Sequence, residues 1–340
     1  MNTIVTYFIP IIIAIMIGFA LIIYFTTYNQ DWLDSILNEL IKPQKGDKDK
    51  IEEEEQAEKD EFGIRAIYPS AASTSQEQIW YAKWDDKSSR ALGKEQKDPL
   101  DSSFMIGSAG TPKVTINGNG MATVNGSSPR MFVFGKWTNV EITVYVKYSS
   151  PEDLKSVSIH GRSNHHKDCG FGGYTVRFGG IKDEDGGISW IKKEPLHGIY
   201  SDRMGSVNYS IPVNKWVGLK AIIRNIDDGG NKEVSVEGYV DDEMKTTTTG
   251  RTLDGSNSNN NNGGQWKKIL HAIDDGTWPG MGQEKEDKEI MKECIGKGDN
   301  ISSSNIYKPF TKTTQAIWLR TNGAEDVKYK WFSVREIKGQ

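Results

Sequence analysis

The hydrophobic and polar positions of the chain follow three successive patterns. Residues 4–28, IVTYFIPIIIAIMIGFALIIYFTTY, carry no charge and are long enough to cross a hydrocarbon core of about 30 Å as a helix. Apolar residues at helical spacing continue to Ile41, and the next run, KPQKGDKDKIEEEEQAEKDE, is too polar to bury a core. We therefore predict a transmembrane signal anchor in residues 1–28, an amphipathic and charged stalk in 29–61, and a folded domain in 62–340.

The folded domain consists of short segments in which apolar and polar residues alternate, and these segments are separated by Gly, Asn, Asp and Pro. In NVEITVYVKY every second residue from Val140 to Val146 is apolar, which is typical of a strand with one buried face. The stretch from WVGLKAIIRN to VEGYVDD predicts a hairpin that turns between Asp227 and Gly230. Many short strands with no helical period between them predict an all-β fold, an antiparallel two-sheet sandwich.

Charge excludes one class of partner. The 42 basic and 46 acidic side chains are spread throughout the chain and give a net charge of -4. No basic face is present to neutralise phosphates, so we do not expect a nucleic-acid partner.

Cysteine content and membrane topology bear on location. Cys169 and Cys294 are the only cysteines, and in an exported chain they predict one disulfide, the alternative being two buried free thiols. Lys42, Lys45 and Lys48 favour a cytoplasmic C-terminal side, but large domains translocate largely regardless of such charges. The cysteine pair, the glycine-rich β domain and three N-glycosylation sequons suit an exterior. We expect a single-pass protein of the cell membrane. Residues 4–28 would contact the lipid bilayer, and the C-terminal domain would be extracellular.

Candidate catalytic residues lie in a polar stretch between His160 and Arg203. Period-two alternation places His160, Arg162 and Asn164 on one strand face. A polysaccharide lyase needs groups that neutralise a uronate carboxylate and a His or Tyr that moves a proton. The candidate catalytic set is His160, Arg162, Asn164, His197 and Tyr200. The alternative is that Arg162, Asn164 and the histidines hold the loop before Cys169 through backbone hydrogen bonds.

Aromatic and polar strand residues form the candidate ligand-binding set. Flat rings can stack on pyranose rings while neighbouring polar groups bond the sugar hydroxyls, although most of the tryptophans are expected in the core. Trp266, beside an asparagine-rich loop, is expected to be exposed. The set is Ser158, Tyr174, Trp190, Lys192, Glu194, Lys220, Glu237 and Tyr239.

The sequence predicts no cofactor and no catalytic metal site, because no His, Cys or carboxylate cluster has ligand spacing. Two acidic turns, Asp183-Glu184-Asp185-Gly186 and Asp227-Asp228-Gly229, could hold a structural calcium ion through oxygen ligands. Asp-Gly pairs are also common in ordinary turns.

With the strands identified, residues 62–340 resemble the concanavalin A-like lectin and glucanase superfamily. The resemblance rests on WTNVEITVYVKY, on GRSNHH with CGFGGY, on the hairpin, and on WFSVREI beside GIRAIYP as paired last and first strands. It implies a jelly-roll sandwich, related to laminin G-like modules and polysaccharide lyases, with a concave glycan-binding sheet. The glucanase motif Glu-x-Asp-x-Glu is missing. The lyase motifs match only in part, and only His160, in Ser158-Ile159-His160, is carried over from their Gln-Ile-His strand.

These features predict a membrane-anchored extracellular protein that binds a polysaccharide or a glycoprotein glycan. One alternative is a polysaccharide lyase that uses the same groove for a uronate-containing glycan. Another is a structural cell-envelope protein without a sugar site.

Overall fold

A computed structural model describes residues 58–71, 78–92, 96–98, 101–108, 113–163, 173–183, 186–196, 201–228, 231–242, 265–278, 292–293, 308–312 and 314–339. The predicted anchor and most of the predicted stalk lie outside these ranges. No helix within them is long and apolar enough to span a membrane. Their longest regular elements are strands, and a single 3₁₀ turn occupies Pro151–Asp153.

The described strands form two sheets of nine strands each. The strands of sheet I are β1 (Ile79–Tyr81), β2 (Arg90–Leu92), β5 (Lys113–Ile116), β6 (Met121–Gly126), β8 (Val140–Lys147), β14 (Val217–Asp228), β15 (Asn231–Asp241), β16 (Lys267–Asp274) and β18 (Ala324–Glu336). The strands of sheet II are β3 (Gln96–Asp98), β4 (Asp101–Ser108), β7 (Pro129–Trp137), β9 (Ser156–Ser163), β10 (Gly173–Gly180), β11 (Ile188–Glu194), β12 (Met204–Asn208), β13 (Ser210–Ile211) and β17 (Thr314–Asn322).

Neighbouring strands are antiparallel except for β10 and β13. Sheet I has the order β16-β15-β14-β8-β18-β6-β5-β2, with β1 on β18. Sheet II has the order β12-β11-β10-β9-β17-β7-β4-β3, with β13 on β10. The predicted hairpin is confirmed as β14 and β15, which pair from Gly218 with Asp241 to Asp228 with Asn231.

The two sheets pack face to face around one hydrophobic core. Alternate residues of β8 and β14, such as Val144 and Leu219, are fully buried in the same cluster as Ile159 and Val176 of sheet II. The sheets approach closely at Gly161, where a Cβ would lie 2.4 Å from the Ile223 side chain. The predicted all-β, two-sheet sandwich is therefore confirmed.

The predicted pairing of GIRAIYP with WFSVREI needs correction. Residues 63–69 form no regular strand. The following residue, Ser70, makes an isolated bridge with Ile337, just beyond β18, and the carbonyl of Tyr68 accepts a hydrogen bond from Arg335 of β18. The strand that pairs with this part of β18 is β1. The backbone N–H groups of Ile67 and Tyr68 donate to the Glu141 carboxylate instead of to a neighbouring strand.

Residues 58–71, here called the cover segment, lie against the outer face of sheet I. The carbonyl of Arg65 accepts hydrogen bonds from Lys220 and Trp266, and the hydroxyl of Tyr68 donates to Glu237. The cover segment explains why polar residues that alternate with the core positions of β8 and β14 are also buried.

Candidate functional site

The outer face of sheet II carries a groove across β17, β9, β10 and β11. Strand register aligns its side chains in two rows that run perpendicular to the strands. The first row is Trp318, His160, Thr175 and Lys192. The second row is Arg320, Ser158, Arg177 and Trp190. Seven of these eight residues, all but Trp318, together with Asn322 line a cavity of about 210 Å³, which we call the sheet II groove.

Trp190 places an aromatic ring at one end of the sheet II groove. The guanidinium of Arg177 and the ammonium of Lys192 lie 5.2 and 5.1 Å from the ring centroid. Arg203 approaches the same ring at 5.7 Å. Arg177 is held in place by an ion pair with Asp183. A half-buried indole with cations over its ring combines a flat aromatic surface with hydrogen-bond donors.

The His160 imidazole lies deeper in the groove and is fixed on two sides. Its ring stacks on the indole of Trp318, with centroids 3.4 Å apart and planes 14° apart. Its Nδ1 lies 2.9 Å from the hydroxyl of Thr175. Arg130 covers Trp318 at 5.1 Å. These contacts hold the imidazole in one orientation and present a rigid floor to a ligand.

Six of the ten candidate residues that the structure describes do not lie in this groove. Ser158, His160, Trp190 and Lys192 come together there. Strand order places β10 between the His160 strand and the Lys192 strand, so Thr175 and Arg177 contribute as well. Sequence reasoning missed Thr175, Arg177, Arg320 and Asn322, because only the register between distant strands brings them to the same rows.

Arg162 does not share a face with His160, so this prediction is wrong. Its backbone has a φ of 55°, which interrupts the alternation of β9. The fully buried guanidinium donates to the carbonyls of Thr138 and Phe310 and to the side chains of Asn139 and Asn225. Burial lowers the pKa of Arg162 to about 10. Its contacts support the alternative from the sequence, a structural role, although the chain it fastens is the segment around Phe310.

Tyr174 is likewise a core residue and not a stacking platform. It is fully buried; its hydroxyl donates to Asp274 at 2.5 Å and accepts from the Phe310 N–H at 2.9 Å. Burial and the neighbouring Asp274 carboxylate raise its pKa well above the ordinary value. Lys193 joins the same cluster through an ion pair with Asp274 at 2.7 Å. Glu194 is also fully buried and does not line the groove.

Lys220, Glu237 and Tyr239 lie on the outer face of the opposite sheet. Lys220 pairs with Glu141 at 2.5 Å, and the Tyr239 hydroxyl donates to Glu237 at 2.5 Å. All three are at least 95 % buried. These three candidates cannot contribute to the sheet II groove, because the core separates the two faces.

Two further expectations concern Trp266 and the cysteines. Trp266 is half-buried: it packs on Tyr145 and under Lys220, and donates to the carbonyl of Arg65. The expectation that it is exposed is therefore wrong. Asn164, His197, Tyr200, Cys169 and Cys294 lie outside the described residues, and the predicted disulfide stays a prediction.

Among the described residues, no group of three or more His, Cys, Asp or Glu side chains could hold a metal ion. Asp183, from one of the two acidic turns, is engaged by Arg177. Glu184 and Asp185 of that turn lie outside the described residues, so the possible structural calcium stays a prediction.

No protein-family model matches the chain, and no curated protein matches it. Some solved structures are similar to the chain. One is the exoplasmic/lumenal domain of VIP36 in a Ca²⁺/Man3GlcNAc-bound form, at 9% identity and a TM-score of 0.36, covering 75% of this chain and 89% of that one. A Bacillus subtilis protein with a galectin-like fold aligns at 11% identity and a TM-score of 0.35, covering 81% and 100%. A legume lectin-like domain from Entamoeba histolytica aligns at 10% identity and 0.36, covering 73% and 97%.

Proposed function

We propose that this protein binds a glycan in the sheet II groove. In this proposal residues 4–28 anchor the chain in a membrane, and the jelly-roll domain faces the exterior. The arrangement around Trp190 is the observation on which the binding proposal rests.

The groove offers the two kinds of contact that sugar rings use. The Trp190 indole gives an apolar surface on which the C–H face of a pyranose can bury area. Ser158, Thr175, Arg320 and Asn322 lie along the adjoining strands and supply donors and acceptors for hydroxyl groups. Since the rows extend over four strands about 4.8 Å apart, the groove suits a chain of sugar units rather than a compact ion.

The placement of the candidate catalytic residues favours glycan binding over catalysis. Of the described candidates, His160 lies in the groove, whereas Arg162 is occupied by four partners elsewhere. The His160 imidazole is itself stacked on Trp318 and engaged by Thr175. A lyase would need one group that neutralises the uronate carboxylate and another that transfers the proton, both around the same sugar unit.

Binding is tested with the purified full chain on an array of neutral and uronate-containing glycans, comparing wild type with Trp190→Ala. We expect retention of wild type on at least one glycan, and a loss of affinity of about tenfold or more in the variant, the scale of a central interface residue. Trp216→Ala is the matched control, because this half-buried indole packs under Lys330 of sheet I. Equal affinity of Trp190→Ala and wild type would contradict the proposal.

The same preparation separates binding from lyase chemistry. Incubation with uronate polymers should give no ultraviolet absorbance from an unsaturated product. A product would establish the enzyme instead, and no retention on any glycan would support the structural cell-envelope alternative. Exterior placement is tested on intact cells by labelling Cys169 and Cys294, after reduction, with a membrane-impermeant thiol reagent; labelling only after lysis would refute it.

A further inference from the structure

The outer face of sheet I holds a second cavity, separate from the proposed glycan groove. It has a volume of about 410 Å³ and lies between β14, β15 and β16, beside Tyr68 of the cover segment. This volume is within the usual range of small-molecule sites. Its lining residues are Tyr68, Arg224, Ile226, Asp227, Ser235, Glu237, Lys268, His271 and Ile273. We call it the sheet I cavity.

Arg224 is the most informative residue of the sheet I cavity. It is 93 % buried, and its guanidinium lies over the Tyr68 ring at 4.1 Å. Within the described part of the chain, its Nε and Nη1 have no hydrogen-bond partner. Its ion-pair partner Glu237 has an oxygen 3.8 Å from Nη2, too far for a hydrogen bond. A buried guanidinium with unmet donors is costly unless a ligand or water supplies acceptors.

Glu237 does not meet that need, because other groups already occupy its oxygens. The Tyr68 hydroxyl lies 3.1 and 3.2 Å from the two oxygens, and the Tyr239 hydroxyl bonds one of them at 2.5 Å. Lys268 adds an ion pair at 3.2 Å. Burial alone would raise the pKa of Glu237, but the hydrogen bond from Tyr239 and the Lys268 charge outweigh it and the pKa lies below its ordinary value. Glu237 is therefore a fixed anion that positions Lys268.

The remaining groups limit the chemistry of a ligand. Arg224 and Lys268 favour an anion, and a guanidinium suits the planar carboxylate group. Two carboxylates, those of Glu237 and Asp227, also line the cavity, and they disfavour a dianion such as phosphate more than a monoanion. Ser235 and His271, 3.3 Å apart, provide hydroxyl and imidazole groups for ligand hydroxyls, and the exposed Ile273 provides an apolar edge.

From this geometry we infer that the sheet I cavity binds a small hydroxylated carboxylate, with the carboxylate between Arg224 and Lys268. The inference does not depend on the sheet II groove, which lies across the core.

The test is a calorimetric titration of the purified full chain with sodium glucuronate as the probe, and with glucose and inorganic phosphate at equal ionic strength. We expect saturable binding of glucuronate and weaker or no binding of glucose and phosphate. Arg224→Gln should weaken glucuronate binding about tenfold or more, as expected for lost hydrogen bonds to a charged group. Lys268→Ala, at an exposed side chain, should weaken it by a smaller factor of about three to ten, the scale of a partly exposed ion pair.

The controls test for binding elsewhere on the protein and for unfolding. Trp216→Ala, at a residue that lines neither the sheet I cavity nor the sheet II groove, should leave glucuronate binding unchanged, and thermal unfolding should show that each variant is folded. If Arg224→Gln does not fold, Lys268→Ala decides. Absence of saturable glucuronate binding to wild type, unchanged binding in Lys268→Ala, or tighter binding of phosphate would each overturn the inference.

Discussion

The outer faces of the two sheets bury polar side chains in different ways. On sheet I the cover segment lies over the strands, and the charges beneath it pair with one another: Glu141 contacts Lys220 at 2.5 Å and Arg335 at 3.0 Å. On sheet II the cations Arg177 and Lys192 converge on the half-buried ring of Trp190, and Arg177 also pairs with Asp183.

This difference separates a structural face from the proposed binding face. Buried charges that pair mutually and bond the backbone of the cover segment are costly to separate, so they hold that segment in one position. The half-buried Trp190 ring, with cations 5.1 to 5.7 Å from its centroid, is the surface on which the proposed glycan would stack. The sheet I cavity lies where the cover segment ends, and there one cation, Arg224, has unmet donors among the described residues.

The largest expected effect is on the covered face. Glu141→Gln removes the carboxylate shared by Lys220, Arg335 and the backbone of Ile67 and Tyr68. The free energy of unfolding should fall by about 3–5 kcal/mol, because a buried ammonium and a buried guanidinium lose their partner. Chemical denaturation followed by tryptophan fluorescence measures the change.

Glu325→Gln is the matched control for this substitution. Glu325 is exposed on β18 of the same sheet, and its replacement should change stability by less than about 0.5 kcal/mol. A loss below about 1 kcal/mol in Glu141→Gln would mean that the cover segment does not depend on this carboxylate.

The second effect is a pH dependence confined to the same face. Burial raises the pKa of Glu141, but the Lys220 and Arg335 charges outweigh it and the pKa lies below its ordinary value of 4.5. The carboxylate therefore contributes stability above pH 4.5, and this contribution is lost as the pH falls through the lowered pKa. The stability difference between wild type and Glu141→Gln should shrink between pH 7 and about pH 3.

Urea unfolding at several pH values measures that difference. The Trp190→Ala variant of the other face should run parallel to wild type over the same range, since no carboxylate is altered. A stability difference between wild type and Glu141→Gln that is constant with pH would contradict the role assigned to the charge of Glu141.

Period-two alternation predicts the sandwich core well because each strand has one face toward the other sheet. Val140 to Val146 and Val217 to Ile223 follow it. It could not predict that Glu141 and Lys220, on the opposite face, are also buried, because the covering residues lie some 70 to 155 positions away in the chain. Charged residues inside otherwise apolar strands are the signal that could have indicated a covered face.

The candidate site was predicted only where strand geometry is regular. Ser158 and His160 precede the positive φ of Arg162 and lie in the groove as expected, whereas Arg162 itself does not. An arginine in left-handed geometry has no sequence signal, since its conformation is imposed by buried hydrogen bonds to distant carbonyls. Thr175 and Arg177 could not be assigned either, because their partners depend on strand order.

The smallest expected effect concerns His160, which is stacked on Trp318 at the floor of the sheet II groove. His160→Ala removes a stacked ring pair and one hydrogen bond to Thr175, with an expected loss of about 1–2 kcal/mol in stability. Glycan affinity should fall as well, because Trp318 loses the ring that fixes it beside the groove. His271→Ala, at an exposed histidine of sheet I, should leave both stability and glycan retention near wild type. If His160→Ala lost stability but kept full glycan affinity, the floor would serve folding alone, and the ligand would contact only the Trp190 end of the groove.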